Sequence, residues 1–161
     1  MKDTAEKAIG ELLKDKNLNL TMGDSNVFDY GRIAFGIPAL DTLTGGGIPK
    51  KRMTLIYGPT NVGKSYLSSQ IVAQVQKQGG RAAWIDTELS WDSDWMNKCG
   101  IDASKVVVGQ PSSGEQAMDS IKALATSGEF DVIVLDSIAG LVPAQNMDED
   151  FSFSPMAWQA R

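Results

Sequence analysis

The chain has 161 residues, 42% of them hydrophobic, which predicts one soluble globular domain with a sizeable core. A single cysteine, Cys99, excludes an internal disulfide and suits a buried or half-buried thiol in a reducing compartment; with no histidine either, a structural zinc site is excluded. The net charge of −5 argues against simple electrostatic attraction to nucleic acid. Residues 115–161 carry 2 basic against 8 acidic side chains, whereas residues 1–114 carry 13 and 12.

The first residues, Met1 to Lys7, are too polar for a secretory signal, and no apolar stretch approaches a membrane span, so a cytoplasmic protein is expected. Residues 4–14 read as an amphipathic helix with Ala5, Ile9, Leu12 and Leu13 on one face, followed by a polar linker over 17–29. These form a first segment, 1–30, ahead of a core over 31–161. Residues 32–36 read as a strand, 37–43 as a turn or short helix, and 45–49 as a tight turn. The apolar run Met53-Thr54-Leu55-Ile56-Tyr57 predicts a short buried strand. A helix is expected over 65–77, with Leu67, Ile71, Val72 and Val75 at helical spacing and Gly79-Gly80 as its stop. Further strands are predicted over 81–86, 105–110 and 131–136, with helices over 93–99 and 114–127 between them. Such alternation predicts an α/β fold, a mainly parallel sheet flanked by helices on both faces.

Gly58-Pro59-Thr60-Asn61-Val62-Gly63-Lys64-Ser65 matches G-x-x-x-x-G-K-[ST] at every position, between a predicted strand and a predicted helix. In that setting successive backbone N–H groups face an anion, and the helix N-terminus adds partial positive charge. Lys64 then reaches the β- and γ-phosphates of a nucleoside triphosphate, Ser65 holds Mg²⁺ through its hydroxyl, and Tyr66 follows beside the nucleotide. Asp136 closes the apolar run Val132 to Leu135, where a carboxylate orients Mg²⁺ and its waters; the competing reading is a helix cap or turn aspartate. Glu88 is the candidate for orienting the attacking water, with Asp86 the rival and a solvated loop glutamate the bland alternative. Trp91, Asp92 and Trp95 follow, as adenine contacts or as ordinary packing. Residues 144–154 form a polar, acidic loop carrying Met147, Phe151 and Phe153, and Ser154-Pro155 opens a new helix. The loop is either solvated or a surface that meets bases or a partner subunit.

From about Ile33 to Arg161 the chain resembles the bacterial and phage RecA-type recombinases. The resemblance rests on Gly36 to Gly47, the loop from Gly58 to Ser65, Ile85-Asp86-Thr87-Glu88, Gln110-Pro111 with Gly114-Glu115-Gln116-Ala117, and Asp131-Val132-Ile133-Val134-Leu135-Asp136-Ser137. It implies a RecA-like P-loop core using ATP and Mg²⁺. The implied activity is that of a DNA-dependent ATPase and recombinase that forms a filament on single-stranded DNA and promotes homologous pairing and strand exchange in a bacterial or phage-infected cell. Glu88 and Lys64 fall on catalytic positions, Ser65 and Asp136 on metal-holding ones, and Asp92 on an adenine contact. Trp95 stands where relatives stack a tyrosine on adenine. Residues 144–155 match a DNA-binding loop, and the N-terminal helix resembles, more loosely, the packing element for a neighbouring protomer.

The resemblance also implies an incomplete chain. In this family another strand lies between the phosphate-loop strand and the Asp136 strand, and this sequence stops before it. A complementing C-terminal portion is therefore an expected partner, and feeble ATPase is expected of the 161 residues alone. Two rival readings are a RecA-fold hexameric helicase or clock-type ATPase, and a non-catalytic nucleotide-binding module that joins a partner.

Overall fold

A computed structural model of the chain describes residues 2–25 and 29–141, which fall into two compact units divided between Gly31 and Arg32. The expectations for 144–155, including Met147, Phe151, Phe153 and the helix opening at Ser154, lie outside the described residues. The first unit holds helix α1, Lys2–Lys14, with Ile9 and Leu12 each 50% exposed.

The second unit opens with β1, Arg32–Ile33, which pairs antiparallel with β2, Ile48–Pro49, across helix α2, Pro38–Leu43. Asp41 ties this segment together by accepting from the backbone N–H of Phe35 at 2.7 Å and of Gly36 at 3.1 Å. The expected strand over 32–36 is thus shortened to two residues, and the expected tight turn at 45–49 ends in a strand of its own. Gly47 permits the pairing: its φ is +109°, and a Cβ there would lie 1.9 Å from the Ile33 carbonyl oxygen.

Three parallel strands form the main sheet, β3 (Ala82–Asp86), β4 (Val106–Gly109) and β5 (Val132–Asp136), in the order β4-β3-β5. Every residue of the central strand β3 is buried. Period two puts Ala82 and Trp84 on one face, where they pack with Val72 and Ala73 of α3 (Lys64–Lys77), Met96 of α4 (Ser93–Lys98) and Ile101. The other face meets α5, Gly114–Ser127, through the fully buried Ala117. Ser113 caps α5 by accepting from the Gln116 N–H at 3.2 Å, and Gly128 ends it in the left-handed conformation, so its bounds are those expected. A second apolar cluster, Ile33, Phe35, Ile71 and Val75, joins the β1–β2 pair to α3.

One expected element is different. Residues 53–57 have no ladder partner among the described residues, and Met53 and Tyr57 are 97% and 86% exposed; only Ile56 packs, against the Ile33 cluster. An apolar run supplies β propensity but not the neighbouring backbone that a strand must bond. Among the described strands β5 pairs with β3 alone, so one of its edges is open.

Candidate nucleotide site

The phosphate loop is a sharp reversal built on two left-handed residues, Asn61 at φ +63° and Gly63 at φ +94°, with Gly63 standing at the N-cap of α3. Asparagine and glycine are the residues that tolerate this region, so the local sequence explains the turn. The first turn of α3 carries no acidic side chain and its N-cap makes no side-chain hydrogen bond, so no local side chain caps the N-terminal N–H groups of the helix. Lys64 Nζ reaches back across the loop to the carbonyls of Gly58 at 3.1 Å and Pro59 at 2.7 Å.

The sheet register brings the acids to this loop. Asp86 and Asp136 are paired positions at the C-terminal ends of adjacent parallel strands, so the segments leaving the two strands share one crevice. Ser65, at the start of α3, lies near the Asp136 carboxylate at the end of β5, close enough for its hydroxyl to favour the ionised form. Burial pushes the Asp136 pKa up, and the charges of Glu88 and Asp86 add to the push. The nearby Ser65 hydroxyl and Lys64 oppose it, and the net result is a raised pKa.

Asp86 is different in kind. It is fully buried, and it accepts from the N–H of Ser90 at 3.1 Å, the N–H of Trp91 at 2.9 Å, the Ser90 hydroxyl at 3.3 Å and Gln110 Nε2 at 2.9 Å. Burial raises its pKa, but these hydrogen bonds, that from Gln110 foremost, outweigh it and hold the carboxyl below its ordinary range. Such a carboxylate organises the loop over 87–91 and has little left to offer a water. Glu88, on that same loop, is exposed, and its Oε1 accepts from the Ser137 hydroxyl at 2.5 Å.

The two tryptophans also separate. Trp91 packs edge-on against Trp84, with ring centroids 5.6 Å apart, and donates to the Ser93 hydroxyl at 3.1 Å. Trp95 is 53% exposed on α4, as Tyr66 is 48% exposed on α3. Asp92 caps α4, its Oδ1 accepting from the N–H groups of Asp94 at 2.9 Å and Trp95 at 3.1 Å. The sequence reading assigned no role to Gln110, Thr87 or Ser137. Their signal was adjacency: Ser137 follows Asp136, Thr87 stands between Asp86 and Glu88, and Gln110 follows the last residue of the strand beside β3.

The RecA N-terminal domain family matches residues 3–161. The chain belongs to the RecA family. It is 40% identical over 160 residues to the protein RecA of Cytophaga hutchinsonii, covering 99% of this chain and 44% of that relative. It is 37% identical over 159 residues to that of Clostridium tetani, covering 97% of this chain and 45% of the relative. This RecA-family chain therefore spans less than half the length of these curated relatives. A crystal structure of the RadB recombinase superposes with a TM-score of 0.57 at 24% identity, covering 80% of this chain and 60% of that one, which places the RecA-family fold on this chain.

Proposed function

We propose that this chain is the nucleotide-binding part of an ATP-dependent DNA recombinase, one that assembles on single-stranded DNA and promotes homologous pairing and strand exchange. The observation that carries the proposal is the Glu88–Ser137 hydrogen bond, which sets Glu88 beside Asp136 where β3 and β5 end together, near Lys64 and Ser65 at the start of α3. A hydroxyl and a carboxylate close together are hard oxygen donors, and a cation beside the half-buried Asp136 would favour its ionised form against the burial that raises its pKa; this donor set fits Mg²⁺. Bound with ATP, Mg²⁺ supplies neutralisation of the charge on the β- and γ-phosphates.

Each residue has a task in this reading. The backbone of 58–63 and the α3 N-terminus cradle the phosphates, and Lys64 exchanges its loop carbonyls for phosphate oxygens. Ser65 and Asp136 would hold the metal. Glu88 orients a water in line with the γ-phosphate, a positioning task more than a covalent one. Trp95 offers an indole face to adenine, with Asp92 at the adjacent helix start. Residues 144–155 would meet DNA, with the N-terminal helix packing on a neighbouring protomer of a filament.

The experiment is ATP hydrolysis with and without single-stranded DNA, comparing wild type, Lys64→Ala and Glu88→Gln, each alone and with the remaining portion reconstructed from a relative. Activity that appears with that portion, responds to DNA and is lost in both variants supports the proposal. Hydrolysis unaffected by Glu88→Gln contradicts it, and with tight stoichiometric capture of the added portion it favours a binding module.

A further inference from the structure

The Glu88 carboxylate is exposed, yet one of its oxygens meets the Ser137 hydroxyl at 2.5 Å, the length of a charge-assisted hydrogen bond. An exposed glutamate otherwise samples many rotamers, so its usefulness to an in-line water depends on what holds it. Ser137 is itself held by one side chain. Thr87 Oγ1 accepts from the Ser137 N–H at 2.9 Å and donates to the Ser137 carbonyl at 2.6 Å, so a single hydroxyl bonds both backbone groups of that residue, the carbonyl also accepting from the Gly140 N–H at 3.2 Å. The sheet register explains the meeting, because Asp86 pairs with Asp136 and the next residues along are Thr87 and Ser137. The ladder continues one step, with the Thr87 N–H donating to the Asp136 carbonyl at 2.9 Å.

A second contact closes the arrangement. Gly140 presses on Thr87 so tightly that a Cβ there would lie 2.5 Å from Thr87 Oγ1 and 2.8 Å from the Thr87 carbonyl oxygen. On the other side of Glu88, Leu89 takes a left-handed φ of +54°, and Asp86 holds the N–H groups of Ser90 and Trp91. The backbone of Glu88 thus lies between two anchors.

We infer that Thr87 and Ser137 form a clasp across the ends of β3 and β5 that positions the Glu88 carboxylate, Thr87 setting Ser137 and Ser137 setting Glu88. Neither touches the reacting atoms; both are positioning residues. The inference rests on the reading of Glu88 as the water-orienting group, and its test is separable from that reading.

The test uses the 161-residue chain, its Glu88 side-chain carboxyl carbon labelled with ¹³C, in wild type, Ser137→Ala, Thr87→Val and Thr87→Ser. Ser137→Ala removes the donor to Glu88; Thr87→Val keeps shape and removes the hydroxyl that holds Ser137; Thr87→Ser restores it. The expected result is that Ser137→Ala and Thr87→Val move the carboxyl resonance in the same direction while Thr87→Ser returns it to the wild-type position. In the activity-competent combination with the reconstructed portion, the first two variants should lower kcat roughly 10- to 100-fold with KM for ATP unchanged. A wild-type resonance in Thr87→Val overturns the role of Thr87, and a wild-type resonance in Ser137→Ala overturns the clasp. Should Thr87→Val not fold, a shifted resonance in Thr87→Ser counts against the clasp, and an unshifted one supports it alongside Ser137→Ala. The resonance reads the clasp without turnover, so Glu88→Gln failing to affect hydrolysis would remove the catalytic reading and leave the positional result standing.

Discussion

Gln110, the residue just past the end of β4, donates its Nε2 hydrogen to Asp86 Oδ2 at 2.9 Å, tying β3 to the segment that leaves the neighbouring strand. That amide is one of four donors converging on a fully buried carboxylate. Asp86→Ala removes the acceptor and leaves them unsatisfied, at an expected cost of about 3 kcal/mol. Urea unfolding measures it. The linkage to pH has a definite sign. The pKa of Asp86 is lowered on folding, so its contribution is present above the unfolded value and lost as pH falls through the lowered folded value. The stability gap between wild type and Asp86→Ala should therefore narrow in acid. A variant within about 0.5 kcal/mol of wild type at neutral pH would show that these bonds are not holding the loop.

Asp136 works in the opposite direction. Its folded pKa is raised, mainly by burial, so the wild-type chain loses stability as pH rises from the unfolded value through the folded one. Asp136→Asn removes the charge while keeping the shape of the side chain. The variant is expected to melt above wild type at neutral pH without nucleotide and to converge with it in acid, where both are neutral. It should also lose Mg²⁺-dependent stabilisation by ATP. Melting curves from about pH 4 to about pH 8 check both parts. A variant that melts at or below wild type at neutral pH would show that the charge carries no folding cost.

The β1–β2 pairing depends on Gly47. Alanine there must accept φ +109° and place a Cβ 1.9 Å from the Ile33 carbonyl oxygen and 2.7 Å from the Ala34 Cα, both backbone atoms. Gly45 is the control, left-handed at φ +67° with nothing within 4 Å of its ideal Cβ. Gly45→Ala should cost about 1 kcal/mol and Gly47→Ala about 3 kcal/mol or more, compared by urea midpoints. Equal costs would mean that the close approach is relieved by a small backbone shift.

Local signals account for what was legible in advance. Ser113 and Gly128 bound α5 because a cap and a left-handed stop act within a few residues, and the phosphate loop carries its glycines in its own sequence. The roles of neighbours were harder to separate. Asp86 and Glu88 sit two apart as acids, and only the convergence of Ser90, Trp91 and Gln110 distinguishes the spent carboxylate from the exposed one. Trp91 and Trp95 differ in the same way: both are aromatic and near the site, but the position of Trp84 decides which one packs. The Thr87–Ser137 pair joins residues 50 apart, and no local pattern announces it. For 53–57 the expectation of a buried strand fails, because an apolar run gives strand propensity but does not provide a hydrogen-bonding neighbour.

That open segment makes the last prediction. With no ladder partner among the described residues, the amides of 53–57 should exchange with solvent orders of magnitude faster than those of β3, which is paired on both sides. Alternate amides of β5, those facing away from β3, should exchange quickly as well, because successive N–H groups in a strand point to opposite edges. Adding the remaining portion of a relative is expected to slow both sets together and to raise the melting temperature, since a strand laid against β5 and 53–57 satisfies the two edges at once. Protection of β5 without 53–57 would place the added strand on one edge only. Slow exchange at 53–57 in the chain by itself would mean that this run already has a partner, and the open-edge description of the sheet would be wrong.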